Sequence, residues 1–322
     1  MTSRLRENRK TDALDVITFG EAMTLLVADE PGPLEQAMLF HKRTAGAETN
    51  VAIGLARLGF KVGWASRLGN DTMGRYLLAE MQREGIDCSH VVCADAQRTG
   101  FQFKGRVIDG SDPPVEYHRK GSAASLMRVD EIDAAWLCAA RLLHATGVFA
   151  AISGNCMEVA RQTMSMMRKS GGIVSFDPNL RPTLWASTAH MRQGINALAA
   201  DADWIFPGIE EGRLLTGCDT PEEIAAHYRN LGAQVVVVKL GAQGAYFSHA
   251  AGQGYVPGFP VAQVVDTVGA GDGFAVGVIS GLLEGLPLTE AVRRGAWIGA
   301  RAVQVRGDTE GLPTRAELAR MD

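Results

Sequence analysis

The stretch Asp266-Thr267-Val268-Gly269-Ala270-Gly271-Asp272-Gly273-Phe274-Ala275 limits what this chain can fold into more than any other. A short apolar run, Val261 to Val265, precedes it, and a longer one, Phe274 to Leu283, comes after it and stops at Gly285 and Pro287. The pattern predicts a strand, a tight glycine turn and a buried helix, the building unit of α/β proteins. Glycines at 269 and 271 let the backbone turn sharply and bring its N–H groups up to a ligand. The free N–H groups and the positive dipole end of the following helix favour an anion there. Asp272 is then out of place, because a carboxylate stands where a phosphate would sit. A general base toward a hydroxyl nucleophile accounts for it, since such a base must lie beside the transferring group.

Other readings of these residues stay open at this point. A glycine turn at a helix start is often only a turn. Gly273, Gly277, Gly281 and Gly285 recur every four residues, as on some membrane-helix faces, but the apolar run is ten residues long, against the roughly twenty that a span needs. Close packing of a buried helix explains the spacing better. No G-x-x-x-x-G-K-[ST] occurs, and Phe274 replaces the third glycine of a dinucleotide fingerprint, so any phosphate chemistry uses a different cradle. The seven histidines form no H-E-x-x-H and no G-x-S-x-G is present, which leaves zinc hydrolysis and an acyl-transfer triad without support. A net charge of −4 with no basic run longer than two argues against nucleic acid or an anionic membrane as partner. Five cysteines without a C-x-x-C pair predict reduced thiols in a cytoplasm. The polar segment Met1 to Asp15 reads as a frayed leader with no signal-peptide core.

Taken in order, the chain alternates strands and helices. Val16 to Phe19 is a strand, 22–44 reads as short alternating strands broken at Pro31-Gly32-Pro33, and a helix starts at Ala45–Asn50 and stops at Gly59. The strand Lys61 to Arg67 and the helix Gly74 to Glu84 are next. Between Thr99 and Gly121, Phe101, Phe103 and Val107 alternate with polar residues, Asp109 to Pro114 is a turn cluster, and alternation resumes at Val115 and Tyr117. That stretch is a β-hairpin projecting from the body. Beyond it lie a helix near Asp130 to Ala140, the strand Leu142 to Ala145, a helix opened by Asn155 with Glu158, and the strand Ile173 to Phe176. They precede a helix near Thr188 to Ala200, the strand Trp204 to Phe206, helices near Ile209 to Leu215 and Pro221 to Leu231, and the strand Val235 to Lys239. Four successive valines in that last strand suggest burial on both faces, as in a parallel sheet. Methionines 157, 164, 166 and 167 are expected as core filler. The expectation is one doubly wound α/β domain with a small β-rich lid made of insertions at 22–44 and 99–121. Apolar alternation on the lid predicts that it closes on ligand or pairs with a second copy of the chain.

Ligands of open parallel sheets bind beyond the carboxyl ends of the strands. Strand 173–176 ends in Asp177-Pro178-Asn179-Leu180-Arg181, strand 204–206 in Pro207-Gly208 with Glu210-Glu211 behind, strand 235–239 in Lys239-Leu240-Gly241-Ala242-Gln243-Gly244, and the apolar run 261–265 in the Asp272 turn. Four such ends on one rim point to a site. Arg119 on the lid and Arg181 at a strand end suit an acceptor carrying a carboxylate or phosphate, because their paired donors match planar oxyanions. Glu211 either holds water around Mg²⁺ or favours the start of its own helix.

At these residues the chain resembles a known family. Asp266 to Gly273 is similar to the DTxGAGD signature of the PfkB, or ribokinase-like, carbohydrate kinases, and Ala45-Gly46-Ala47-x-x-Asn50 resembles their N-terminal glycine motif. The resemblance covers nearly all of 15–322, leaving 1–14 as the leader. Tyr117 to Ala123, Asp177 to Trp185 and Arg306-Gly307-Asp308-x-Glu310-Gly311 resemble the branch acting on 2-keto-3-deoxygluconate. The resemblance implies a ribokinase-like fold and ATP-dependent phosphorylation of the terminal primary hydroxyl of that sugar acid. It implies Asp272 as base and the backbone of Gly269, Ala270, Gly271 and Asp272 as anion hole. Contacts to the sugar acid are implied for Gly46, Asn50, Gln102, Tyr117, Arg119, Arg181 and Asp308. Nucleotide-side roles are implied for Asn179, Lys239, Gly241, Gly244, Gly269 and Gly271, with Mg²⁺ near Glu211 and, as an optional monovalent cation, K⁺ near Asp266. Two positions depart from the family pattern: Gly208 replaces the asparagine of its N-x-x-E motif, and Ala296 stands where many members place a residue near the adenine. A kinase of a neutral sugar such as fructose or ribose is the alternative, which the two arginines disfavour. A non-catalytic sugar-acid binding protein is another, and it would not need Asp272.

Overall fold

A computed structural model describes residues 13–107 and 113–321. The strands are β1 (Val16–Phe19), β2 (Met23–Ala28), β3 (Phe40–Ala45), β4 (Val62–Gly69), β5 (Val91–Ala94), β6 (Phe101–Lys104), β7 (Val115–His118), β8 (Leu142–Thr146), β9 (Ile173–Asp177), β10 (Trp204–Ile205), β11 (Val235–Lys239), β12 (Ala245–His249) and β13 (Gly252–Val256). Nine of them form one sheet in the order β13-β12-β11-β10-β9-β8-β1-β4-β5. Its pairs are parallel from β11 to β5, while β12 and β13 add an antiparallel edge. Helices cover both faces, each over its own apolar layer. The valines of β11 split between the layers, Val235 and Val237 on one side, Val236 and Val238 on the other, as the unbroken apolar run predicted. Met164 and Met167 are fully buried in the second layer, with Met157 and Met166 packed at its margin.

A separate four-stranded sheet has the order β3-β2-β6-β7. It is made of the two insertions read from the sequence, and β6 and β7 pair antiparallel as the expected hairpin, with Gln102 opposite Tyr117. Part of the expected turn cluster and most of the expected leader lie outside the described residues.

The Ala270–Leu283 helix packs on the Leu288–Ala302 helix through its glycines. A Cβ at Gly277 would lie 2.5 Å from the Cα of Gly295, and one at Gly281 would lie 2.7 Å from the Cβ of Ala291. Close approach of the two helices is therefore the reason for glycine at 277 and 281, while Gly285 follows the helix end at φ 82°.

Several local expectations need correction. Val261 to Val265 is not a strand. Its apolar residues face a cavity, not a neighbouring strand, and the Val265 N–H is taken by the Val303 carbonyl at 2.7 Å. The helix expected over 130–140 is a 3₁₀ turn, Val129–Glu131, followed by the Ala134–Ala139 helix. Asp133 breaks the run because its carboxylate caps the N–H groups of Ala135 and Trp136. Ser153, not Asn155, caps the next helix by accepting from the Cys156 N–H. The hairpin β12–β13 and the strand β5 had no counterpart in the sequence pattern.

Candidate active site

The rim formed by the ends of β9 and β11 opens on a cavity of about 440 Å³, with Met23, Gln102, Val115 and Tyr117 of the small sheet on its far side. Its wall brings together Gly46, Asn50, Gln102, Tyr117, Arg119, Asn179, Arg181, Glu211, Lys239, Gly269, Gly271, Asp272 and Asp308, drawn from residues 46 to 308 of the chain. A second cavity of about 630 Å³ lies beside it, lined by Phe259, Pro260, Val261, Val264, Phe274, Ala296 and Val303, and by Gly241, Gly244 and Ala270. Lys239, Thr267 and Gly271 line both. The glycine turn is thus the partition between a polar chamber and an apolar one.

Gly269 shows why the turn needs glycine. Its φ is 83°, and a Cβ there would lie 2.5 Å from the Asp308 carbonyl oxygen. Gly46 is equally constrained at φ 148°, where a Cβ would meet the Glu21 carbonyl oxygen at 2.6 Å. No side chain caps the start of the Ala270–Leu283 helix; the Ala270 N–H turns back to the Thr267 carbonyl at 3.4 Å, and the N–H groups after it face an anion site.

Asp272 sits in the first turn of that helix, 7% exposed. The Asn50 amide donates to its Oδ2 at 2.7 Å and the Asn179 amide to its Oδ1 at 3.3 Å. Burial pushes its carboxyl up to about 8; the Asn50 hydrogen bond opposes the shift, Asp177 and Asp308 add to it, and Lys239 opposes it. A carboxylate with raised proton affinity is matched to accepting a proton from a hydroxyl near neutral pH. Asn179 has φ 38°, the one positive φ at a non-glycine among the described residues. This turn carries its amide over the sheet rim to Asp272, and Asn179 lines the polar chamber. Asn50 likewise contacts Asp272.

Lys239 lies between the chambers, its Nζ 2.6 Å from Asp177 Oδ2. Burial alone would lower its ammonium, but Asp177 and Glu211 outweigh burial and hold it above its usual value. Asp177 is pushed up by burial to about 6, with Lys239 opposing. Both oxygens of Glu211 accept backbone N–H groups, from Leu180 and Gly208, each at 2.7 Å. Glu211 therefore does cap its own helix start, while still facing the chamber. Asp266 differs from expectation more plainly. Lys104 Nζ lies 2.5 Å from its Oδ2 and the Val268 N–H binds Oδ1, so an ammonium of this chain occupies the carboxylate expected to meet a monovalent cation.

The two arginines share the polar chamber. Arg181 is exposed and donates to its neighbour's carbonyl, Leu180 O, at 2.8 Å. Arg119 is mostly buried and ion-paired to Glu21, Nη2 to Oε2 at 2.5 Å. Its Nε has no partner, nor do the buried oxygens Asn50 Oδ1, Gln102 Oε1 and Asn179 Oδ1. Orphaned buried polar atoms are costly. Here they call for a ligand that brings hydroxyl donors to three of them and an anionic acceptor to Arg119.

Sequence reasoning missed Glu21, Glu48 and Lys104. Glu21 lies just past the carboxyl end of β1, and the test applied to four other strand ends would have found it. Lys104 stands two residues after Gln102 on one strand and so shares its face. Glu48 is buried in the chamber wall beside Thr146, and burial pushes its carboxyl up to about 7; nothing in its spacing marks it.

The family model for pfkB family carbohydrate kinases matches residues 13–315. The chain is 50% identical over 307 residues to the 2-dehydro-3-deoxygluconokinase of Bacillus subtilis, covering 95% of this chain and 94% of that protein. Among solved structures, a PfkB protein from Polaromonas superposes with a TM-score of 0.89 at 70% identity, covering 96% and 100% of the two chains. A ribokinase II from E. coli in complex with ATP and Mg²⁺ superposes with a TM-score of 0.88 at 27% identity, covering 96% and 98%. The family match spans nearly the whole described chain, and the chain belongs to the pfkB family of carbohydrate kinases.

Proposed function

We propose that this kinase transfers the γ-phosphoryl group of ATP to the terminal primary hydroxyl of 2-keto-3-deoxygluconate, also called 2-dehydro-3-deoxygluconate. The observation that carries the reading is the pairing, in one small chamber, of a buried carboxylate at an uncapped helix start with an arginine whose Nε lacks a partner. A sugar acid meets both requirements, and the name of the B. subtilis relative supports the choice. The acceptor's carboxylate lies toward Arg119 and Arg181, and its hydroxyls satisfy Gln102 and the two asparagines. Its terminal hydroxyl faces Asp272. Proton transfer to the Asp272 carboxylate accompanies formation of the new P–O bond, and the bond from the γ-phosphorus to the β–γ bridging oxygen breaks, releasing ADP. The backbone at Gly269–Asp272 and the Lys239 ammonium meet the charge on the transferring group, so catalysis is mostly positioning and charge stabilisation.

The apolar chamber suits a flat nucleotide base, with small Ala296 and Ala300 leaving it room. Among the described residues no cluster of three or more His, Cys, Asp and Glu could hold a metal by itself. Mg²⁺ carried on the phosphates fits this, since it keeps most of its waters, and Glu211 has lone pairs left to bind one of them. When bound, the ion neutralises phosphate charge. A cytoplasmic setting agrees with five free cysteines.

The four-stranded sheet serves as a lid and as a subunit interface. Its face opposite Gln102 and Lys104 carries a cluster of rings, Phe101 stacked on His118 at 4.6 Å and Phe40 against Phe103 at 5.2 Å. Met38 and Leu39 beside it are exposed. A second copy of the chain covers this face, and a strictly monomeric protein at micromolar concentration would remove that half of the reading. The substrate itself is tested by ADP release across sugar acids and neutral sugars. Preference for fructose or ribose over the keto-deoxy acid would overturn the assignment.

A further inference from the structure

Lys104 has no part in the proposed transfer, yet it is among the largest fully buried side chains. It projects from β6 of the small sheet, and its Nζ lies 2.5 Å from Asp266 Oδ2 and 3.4 Å from Asp308 Oδ1. Both carboxylates are themselves buried, at 6% and 5% exposure. Asp266 opens the glycine turn, and the carbonyl of Asp308 packs directly over Gly269. Three segments, distant in sequence, therefore meet at one ammonium. A buried ammonium is tolerated only when paired, and two neighbouring buried carboxylates need a cation between them. Lysine suits this place because its charge is compact and its stem flexible.

We propose that Lys104 is a positioning residue whose ammonium orients the Asp308 carboxylate toward the acceptor and latches the small sheet to the glycine turn. The part concerning the acceptor rests on the proposed reading of Asp308 as a sugar contact. The latch does not. One buried ion triad then sets the distance between the wall that holds the sugar and the turn that holds the transferring group. In the conformation described here the small sheet is held against the glycine turn through these contacts.

The test compares wild type with Lys104→Met, which keeps the stem and removes the charge. Hydrogen exchange of the amides in 101–104 and 115–118, measured without any sugar, should speed up by at least roughly tenfold, while exchange in β8, β9 and β11 stays as in wild type. KM for the acceptor should rise roughly 10- to 100-fold, the loss associated with a charge-assisted hydrogen bond, while the nucleotide Kd stays within about twofold. Lys104→Ala leaves a cavity the size of the missing stem, and added methylammonium should recover part of its acceptor KM where tetramethylammonium does not. Should Lys104→Met prove insoluble, Lys104→Arg keeps the charge and should preserve lid protection while raising acceptor KM. Unchanged exchange in the small sheet overturns the latch. Loss of acceptor and nucleotide binding in equal proportion, with no amine rescue, overturns the positioning role. If wild type fails to phosphorylate the keto-deoxy acid, the substrate reading falls, and the exchange experiment still decides the latch.

Discussion

Asp272→Asn should make the protein more stable and nearly inactive. In the folded chain burial raises this carboxyl from its ordinary 3.8 to about 8. A raised folded value means that the folded state holds a proton which the unfolded chain releases, so stability declines as pH rises from about 4 to about 8 and levels off above. At roughly 1.36 kcal/mol per unit, the shift sets an upper limit of about 6 kcal/mol on the cost of ionised Asp272. Relaxation and water entry reduce this, and about 2 kcal/mol is a fair expectation. Asparagine cannot ionise, so the cost disappears. The substitution also keeps the shape of the side chain, and the Asn50 amide can turn its free Oδ1 toward the new N–H₂ group. Thermal unfolding at pH 8.5 should therefore show a Tm for the variant about 3 °C above wild type, with the gap closing toward pH 4. Turnover should fall by roughly 10²- to 10⁴-fold, the usual range for losing a general base, while nucleotide affinity holds. Turnover within about threefold of wild type would refute the role of Asp272 as base. A variant less stable than wild type at pH 8.5 would refute the claim that burial raises it.

The same geometry sets further outcomes. The pH profile of kcat/KM for the acceptor should rise with pH through a value well above the ordinary carboxylate range, because the ionised form is the acceptor of the proton. Asn50→Ala removes a hydrogen bond that lowers Asp272, so it should move that limb to still higher pH. Arg119→Lys keeps the charge but loses the planar fork, and KM for the acid should rise with little change in ATP affinity. Arg119→Ala should lower kcat/KM by about 2–4 kcal/mol for the acid and by much less for an uncharged analogue; equal losses on both would show that the arginine does not read the carboxylate. Gly269→Ala combines a φ of 83° with a Cβ 2.5 Å from a backbone oxygen. It should cost about 2 kcal/mol or more of stability and weaken nucleotide binding, as read by chemical denaturation and calorimetry.

Where periodicity was strong, the sequence was a reliable guide. The valines of β11, the glycine spacing of the Ala270–Leu283 helix and the two lid insertions were all legible, because each reflects a local rule of burial or close approach. Three rim segments were legible from the polar and glycine-rich residues at the carboxyl ends of β9, β10 and β11 and the fourth from its own glycine motif, and all four line one chamber or the other. Tertiary pairings escaped. Nothing local tells that Lys104 reaches Asp266, or that Arg119 is already paired with Glu21. Val261 to Val265 misled because an apolar run that lines a ligand cavity looks the same as one that pairs in a sheet. The direction of Asn179 was equally hidden, since it depends on one left-handed residue after β9.

Groups that meet in the chamber wall are far apart along the chain: Asn50 and Asp272 are separated by 222 residues, and Lys104 and Asp308 by 204. During synthesis the parallel strands β1, β4, β8, β9 and β10 are all made before the helix that carries Asp272. A nascent chain can therefore assemble most of its sheet and still hold two asparagine amides and a buried lysine with nothing to meet. The chamber is complete only once the stretch from Asp266 to Asp308 has been made. Until then the half-built pocket is a place where water or a chaperone, not a sugar, must answer those donors.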